Sequence, residues 1–297
     1  MNGVRFEMDD IGFGMNDVGF GKKIQVDLGW ELERVNPTKT RLRNNYKTIA
    51  NSVLRGVGSG GGAVILNARE PKYCKWEPDK RYEMVADLAT EEVRTLGEKS
   101  VLIDDLRKIW LMKGQEFTGN YILPNGESTE IVCDVLGLPY GENFPENQDA
   151  MPNIKEAQKR KLPIILNATS CPKSFEKIVR ENNEVLEDFN GIKIYSSSKP
   201  RKTNKFCERM YKEIFGEMPA PGCLAGSGGY SIKSIGSSST RMAPLKTDSF
   251  ENYLENLNQQ MYLANLEDLK KGRLPYREIV THRAKIGLDK LCAFFRR

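Results

Sequence analysis

Apolar positions in this chain recur with two different periods, and their clearest succession lies between Lys161 and Arg209. Leu162–Ala168 is a short, nearly unbroken apolar run, the pattern of a strand covered on both faces. Thr169, Ser170 and Pro172 then carry helix-start chemistry: hydroxyls that accept from free N–H groups, and a proline that needs no donor. From Lys173 the spacing turns helical, with Phe175, Ile178, Val179, Val185, Leu186 and Phe189 largely on one stripe. Asn190-Gly191 is the expected stop. Ile192–Tyr195 alternates like a second strand, and Phe206, Met210, Ile214 and Phe215 mark a second helix. The spacing therefore predicts a βαβα unit over 161–215, with its two strands parallel and joined by a right-handed crossover.

The same patterning predicts strands at Lys22–Trp30 and Ala63–Ala68, and a hairpin around Pro124-Asn125-Gly126-Glu127. It predicts helices over Asp79–Leu96, from Phe250 to Ala264 or Leu269, and again after Pro275. Val101–Met112 fits strand and helix equally. Leu138–Pro152 is poor in apolar residues and reads as a linker, whereas Pro219–Pro244 reads as irregular Gly/Ser-rich chain. The fold class is α+β or α/β: a mixed sheet with the central βαβα unit and a helical C-terminus. The organisation expected is a Gly/Phe arm over 1–23, an N-terminal domain over 24–149 and a basic C-terminal domain over 150–297. Within the arm, Asp10–Gly14 recurs as Asp17–Gly21. It suits either insertion into a neighbouring copy or a fold back onto its own domain.

Composition narrows the function classes. The 297 residues are 39% hydrophobic, enough for a substantial core. No apolar run reaches the roughly 20 residues of a membrane helix, and the first charged cluster is acidic, so the expectation is a cytoplasmic protein with no membrane partner. Six dispersed cysteines and one histidine, His282, argue against a Cys/His metal site and for free thiols. No metal or cofactor is expected. The net charge of +5 is segregated. Residues 81–150 hold 6 basic and 14 acidic side chains, net −8, whereas 151–297 hold 26 basic and 16 acidic, net +10. Such polarity steers nucleic acid to one face, or lets copies associate head to tail.

Candidate chemistry follows from the parallel pair. Both strands end at one edge of the sheet, where ligands of open α/β sheets bind. Thr169, Ser170 and Lys173 arrive there from the first strand, and Ser196, Ser197, Ser198, Lys199, Arg201, Lys202 and Thr203 from the second. Hydroxyls, cations and free N–H groups together favour phosphate or carboxylate; the plainer reading is a cap and a solvated basic turn. Arg41, Arg43 and Lys47 form a second basic group on an expected helix. The glycines of 56–62 precede a strand, the wrong order for a phosphate loop.

Two functions follow. One is a non-enzymatic, self-associating, nucleic-acid-binding structural protein of nucleocapsid or coat type, holding single-stranded nucleic acid and assembling as a homo-oligomer through the arm. The alternative is an enzyme acting on a nucleotide or other phosphorylated substrate at strand ends 168–173 and 195–202, with Cys171 as its nucleophile near a helix start.

Overall fold

The computed structural model describes residues 24–31, 62–68, 93–105, 109–145, 149–181, 183–216, 221–228 and 236–274. The second helix expected after Pro275, the arm, His282 and the basic group Arg41, Arg43 and Lys47 lie outside these residues. Among the described residues there are eleven strands in one mixed sheet. They are β1 (Ile24–Glu31), β2 (Gly62–Ala68), β3 (Val93–Leu96), β4 (Val101–Asp104), β5 (Ile109–Ile122), β6 (Ser128–Leu136), β7 (Ile164–Leu166), β8 (Gly191–Ser196), β9 (Gly222–Gly226), β10 (Ser238–Met242) and β11 (Leu269–Lys271). Four helices lie among them: α1 (Met151–Lys159), α2 (Pro172–Glu181), α3 (Arg201–Phe215) and α4 (Phe250–Leu263). No helix among the described residues is long and apolar enough to cross a membrane.

The order across the sheet is β11-β10-β1-β2-β5-β6-β7-β8-β9, with β4 paired to β5 and β3 to β4. β1, β2 and β5 are parallel neighbours, as are β7, β8 and β9. β6 lies antiparallel between the two groups, so all six of those strands run the same way. The βαβα expectation is met: β7–α2–β8 and β8–α3–β9 are successive crossovers. Phe175, Ile178 and Val179 of α2, with Cys207, Met210 and Phe215 of α3, bury their side chains in the main core.

The sheet curls into a half-barrel, so that β9 comes beside β10. Between these two strands side-chain hydroxyls stand in for a backbone ladder: the Ala225 N–H donates to Thr240 Oγ1 at 2.9 Å, and Ser238 Oγ donates to the Gly226 carbonyl at 2.6 Å.

Several expectations need correcting. Residues 93–96 form a strand and not the end of a helix, pairing with β4 in register Val93↔Asp104 to Leu96↔Val101. The ambiguous 101–112 stretch is two strands, β4 and the start of β5. Helix α2 stops at Glu181, and a 3₁₀ segment, Asn183–Asp188, carries Leu186. Asn190 is no left-handed cap: its N–H donates to the Ile164 carbonyl and its Oδ1 accepts from the Ile164 N–H, extending the β7 pairing. Residues 219–244 contain β9 and β10, because strands of small residues approach closely here. The last amphipathic helix ends at Leu263. Asn265 then opens a 3₁₀ turn with a capping box, and Leu269 lies in β11.

The 138–152 stretch does not interrupt the sheet. Leu138 and Phe144 are buried, and Lys113 of β5 donates its ammonium to the Pro139 carbonyl at 2.9 Å and to the Glu142 carbonyl. Gln115 accepts from the Phe144 N–H at 2.7 Å and donates to its carbonyl at 3.0 Å. β1, before residue 149, pairs with β10, after it.

Two glycines separate steric from conformational demand. A Cβ on Gly222 of β9 would lie 1.8 Å from the Met261 carbonyl oxygen at the end of α4. One on Gly126, in the β5–β6 turn at φ 82°, would meet nothing within 4 Å. We expect Gly222→Ala to cost about 3 kcal/mol through displacement of α4, and Gly126→Ala about 1 kcal/mol through left-handed strain alone. Urea midpoints at unchanged slope measure both.

Candidate functional site

The parallel strands β7, β8 and β9 end on one edge, and their trailing residues are Asn167–Ser170, Ser197–Lys199 and Ser227–Gly228. The turn after β8 is held by Asn204 of α3, whose Oδ1 accepts from the Ser196 N–H at 3.1 Å and whose Nδ2 donates to the Ser196 carbonyl at 2.9 Å. That clamp fixes where α3 begins. The helix starts at Arg201 behind Pro200, which has no side chain to cap it. A 15-residue helix therefore presents uncapped N–H groups beside this edge.

Serine hydroxyls tie the edge together. Ser197 Oγ donates to the Ser227 carbonyl at 2.9 Å and lies 2.5 Å from Ser237 Oγ, and the Ser197 N–H donates to Ser238 Oγ at 3.2 Å. Ser196 Oγ and Ser198 Oγ are 3.0 Å apart. Gly228, at φ 52°, closes over this pair, and a Cβ there would lie 2.5 Å from Ser196 Oγ.

The expected anion ligands separate on these grounds. Lys173, Arg201 and Lys202 are exposed, while Ser170 and Lys199 are half-buried. Thr169 and Ser197 are buried, and both hydroxyls serve the protein. Thr169 does not cap α2: its Oγ1 donates to Asn167 Oδ1 at 3.0 Å. Cys171 does not suit a nucleophile. It is buried, its Sγ donates to the Asn167 carbonyl at 3.3 Å, and burial pushes its thiol up to about 12, against a smaller opposing pull from the Lys199 charge. The helix-start effect expected from the sequence loses to desolvation.

Sequence reasoning missed a second group, placed deeper in the sheet than the edge residues. Glu116 of β5 and Asp134 of β6 are register partners on neighbouring strands. Asn167 Nδ2 lies 3.3 Å from Glu116 Oε2 and 3.5 Å from Asp134 Oδ2. Lys193 of β8 places its Nζ 3.4 Å from Asp134 Oδ2. Asp134 and Lys193 are 1% and 3% exposed, whereas Glu116 is half-buried and forms the open side. Buried ions are costly even when paired, so this carboxylate–amide–ammonium set is hard to explain as core alone. The Thr169 N–H donates to the Lys193 carbonyl at 3.2 Å, which joins the inner set to the edge. Among the described residues no group of three or more His, Cys, Asp or Glu side chains is arranged to hold a metal ion.

The fold has a known counterpart. The crystal structure of PsfC from Pseudomonas syringae PB-5123 superposes with a TM-score of 0.53 at 9% identity, covering 89% of this chain and 98% of that one. At that identity the likeness is one of fold alone. No protein-family model matches the sequence, and neither does any curated protein.

The thiols give a pH prediction. Cys133, Cys171, Cys207 and Cys223 are free and buried. Burial holds Cys171, Cys207 and Cys223 neutral up to about 12, against an ordinary value of 9.0, and raises Cys133 as well. The unfolded chain ionises these thiols near 9 and the folded chain does not. Stability should therefore fall between pH 9 and 12, by at most about 1.4 kcal/mol per pH unit for each thiol. Urea midpoints across that range, and iodoacetamide labelling of Cys171 at pH 8 that appears only on unfolding, are the measurements.

Proposed function

We propose that the edge formed by β7, β8 and β9 binds a phosphorylated small molecule of the nucleotide class, and that the chain is an enzyme acting on it. The supporting observation is that the parallel strands β7 and β8 lead at one edge into an uncapped helix start and the cations Lys173, Arg201 and Lys202, and that Asn167 and the Thr169–Lys193 backbone bond join this edge to the Glu116–Asn167–Asp134–Lys193 set. In this reading the N–H groups at the start of α3 hold the phosphate oxygens. Arg201 and Lys202 draw the anion in through water. The inner set supplies proton donors and acceptors in a site with little solvent, where charge interactions are strong. Ser197 and Thr169 act as supports and do not touch the ligand.

Titration calorimetry with AMP and with glycerol 3-phosphate at low salt tests this. We expect binding that weakens at least about tenfold, roughly 1.4 kcal/mol, in a variant carrying both Arg201→Glu and Lys202→Glu. Absence of heat with every phosphorylated probe would remove the proposal.

A second reading keeps the nucleic-acid partner and is favoured by the exposure of Lys173, Arg201 and Lys202 together with the net charge of +10 over 151–297. In it the same cations neutralise backbone phosphates of single-stranded RNA, and the chain is a self-associating structural protein. Filter binding across salt discriminates. The RNA reading requires affinity to fall steeply with salt, and the double variant to flatten that slope by about 1.4 log units, 0.7 for each lost contact.

A further inference from the structure

The inner set contains a lysine whose position is unusual for a cation that merely balances charge. Lys193 is the third of the six residues of the parallel strand β8, and its side chain is buried. Its Nζ is 3.4 Å from Asp134 Oδ2, within ion-pair reach, and both side chains are buried. The same Asp134 oxygen accepts from Asn167 Nδ2 at 3.5 Å, and that amide also reaches Glu116. An amine close to a carboxylate that can take and return its proton, inside a low-dielectric enclosure, is the arrangement amine catalysis of carbonyl chemistry requires.

We propose that Lys193 is a catalytic residue that forms an imine with a phosphorylated aldehyde or ketone; this rests on the edge binding phosphate as set out above. The ammonium passes a proton to Asp134, and the free amine adds to the carbonyl carbon, giving a carbinolamine. Asp134 returns the proton to the carbinolamine hydroxyl. Water leaves, and the nitrogen lone pair closes the C=N bond of a protonated imine. No oxidant or reductant takes part, and hydrolysis reverses each step. The carbonyl enters past half-buried Glu116, while the phosphate stays with the start of α3 and the exposed Arg201 and Lys202. Asn167 is a positioning residue that sets the Asp134 carboxylate against the amine.

Sodium borohydride reduces such an imine to a stable secondary amine that mass spectrometry can locate. The whole chain is incubated with dihydroxyacetone phosphate or glyceraldehyde 3-phosphate, reduced and digested. The expected result is a saturable adduct on the peptide bearing Lys193 that vanishes in Lys193→Met. Lys193→Arg, which keeps the charge and forms no reducible imine, should also lose it. Should either variant fail to fold, the position of the adduct in the unsubstituted chain decides. Modification spread over exposed lysines such as Lys173 and Lys202, with Lys193 untouched, overturns the proposal. If glycerol 3-phosphate binds while Lys193 stays unmodified, the imine falls and the phosphate site stands. If neither occurs, both fall.

Discussion

The last strand of the β7–β8–β9 group has a strand ladder on one side only, and on the other the Ala264 carbonyl and side-chain hydroxyls meet its backbone groups. β8 supplies the ladder, and Thr240 and Ser238 of β10 meet the Ala225 N–H and the Gly226 carbonyl. Side chains can replace a ladder only where the strands approach closely and carry small polar residues, which is what Gly222–Gly226 and Ser238–Thr240 provide. Because β10 also pairs with β1, this joint draws the two ends of the strand order together and gives the sheet its inside.

That inside explains why polar residues persist at positions where β-strands bury their side chains. Around these positions the strands are packed with aliphatic side chains, and Ile165 and Leu224 are completely buried. Against this background, a carboxylate, an amide and an ammonium on three adjacent strands form one connected group, linked by distances of 3.3–3.5 Å. Replacing one member would strand the others in a low-dielectric setting. A core has no need of that vulnerability, which is the ground for proposing a reaction there.

The parts of the architecture that were legible from sequence were the local ones. The crossover unit showed itself because its strands are continuous apolar runs and its helices carry stripes, and the hairpin because Asn125-Gly126 satisfies a left-handed turn, with Gly126 at φ 82°. β9 and β10 were hidden because hydroxyls and glycines carry no apolar period; their pairing is decided by partners far away in sequence. The same blindness covered the site. In Ile192-Lys193-Ile194 the lysine occupies the alternate position that a half-buried strand turns to solvent, yet every residue of β8 is buried and Lys193 meets Asp134. A signal was nevertheless present: Asp134 stands inside Val132–Leu136, an otherwise apolar run, where a charge needs a buried partner.

Edge and inner set divide the work that the sequence had assigned to one list of residues. Hydroxyls at 169 and 196–198 were expected to touch an anion, yet those of Thr169, Ser196 and Ser197 hold strands and turns in place, so rigidity is their contribution. In the proposed reading the residues left to meet a ligand are the cations and the bare helix start, which attract charge without selecting a particular compound. Selection would then come from deeper in, from groups whose geometry is fixed by the sheet. Glu116, Asn167, Asp134 and Lys193 meet that requirement, since each projects from a different strand or strand end and none can shift without disturbing a ladder.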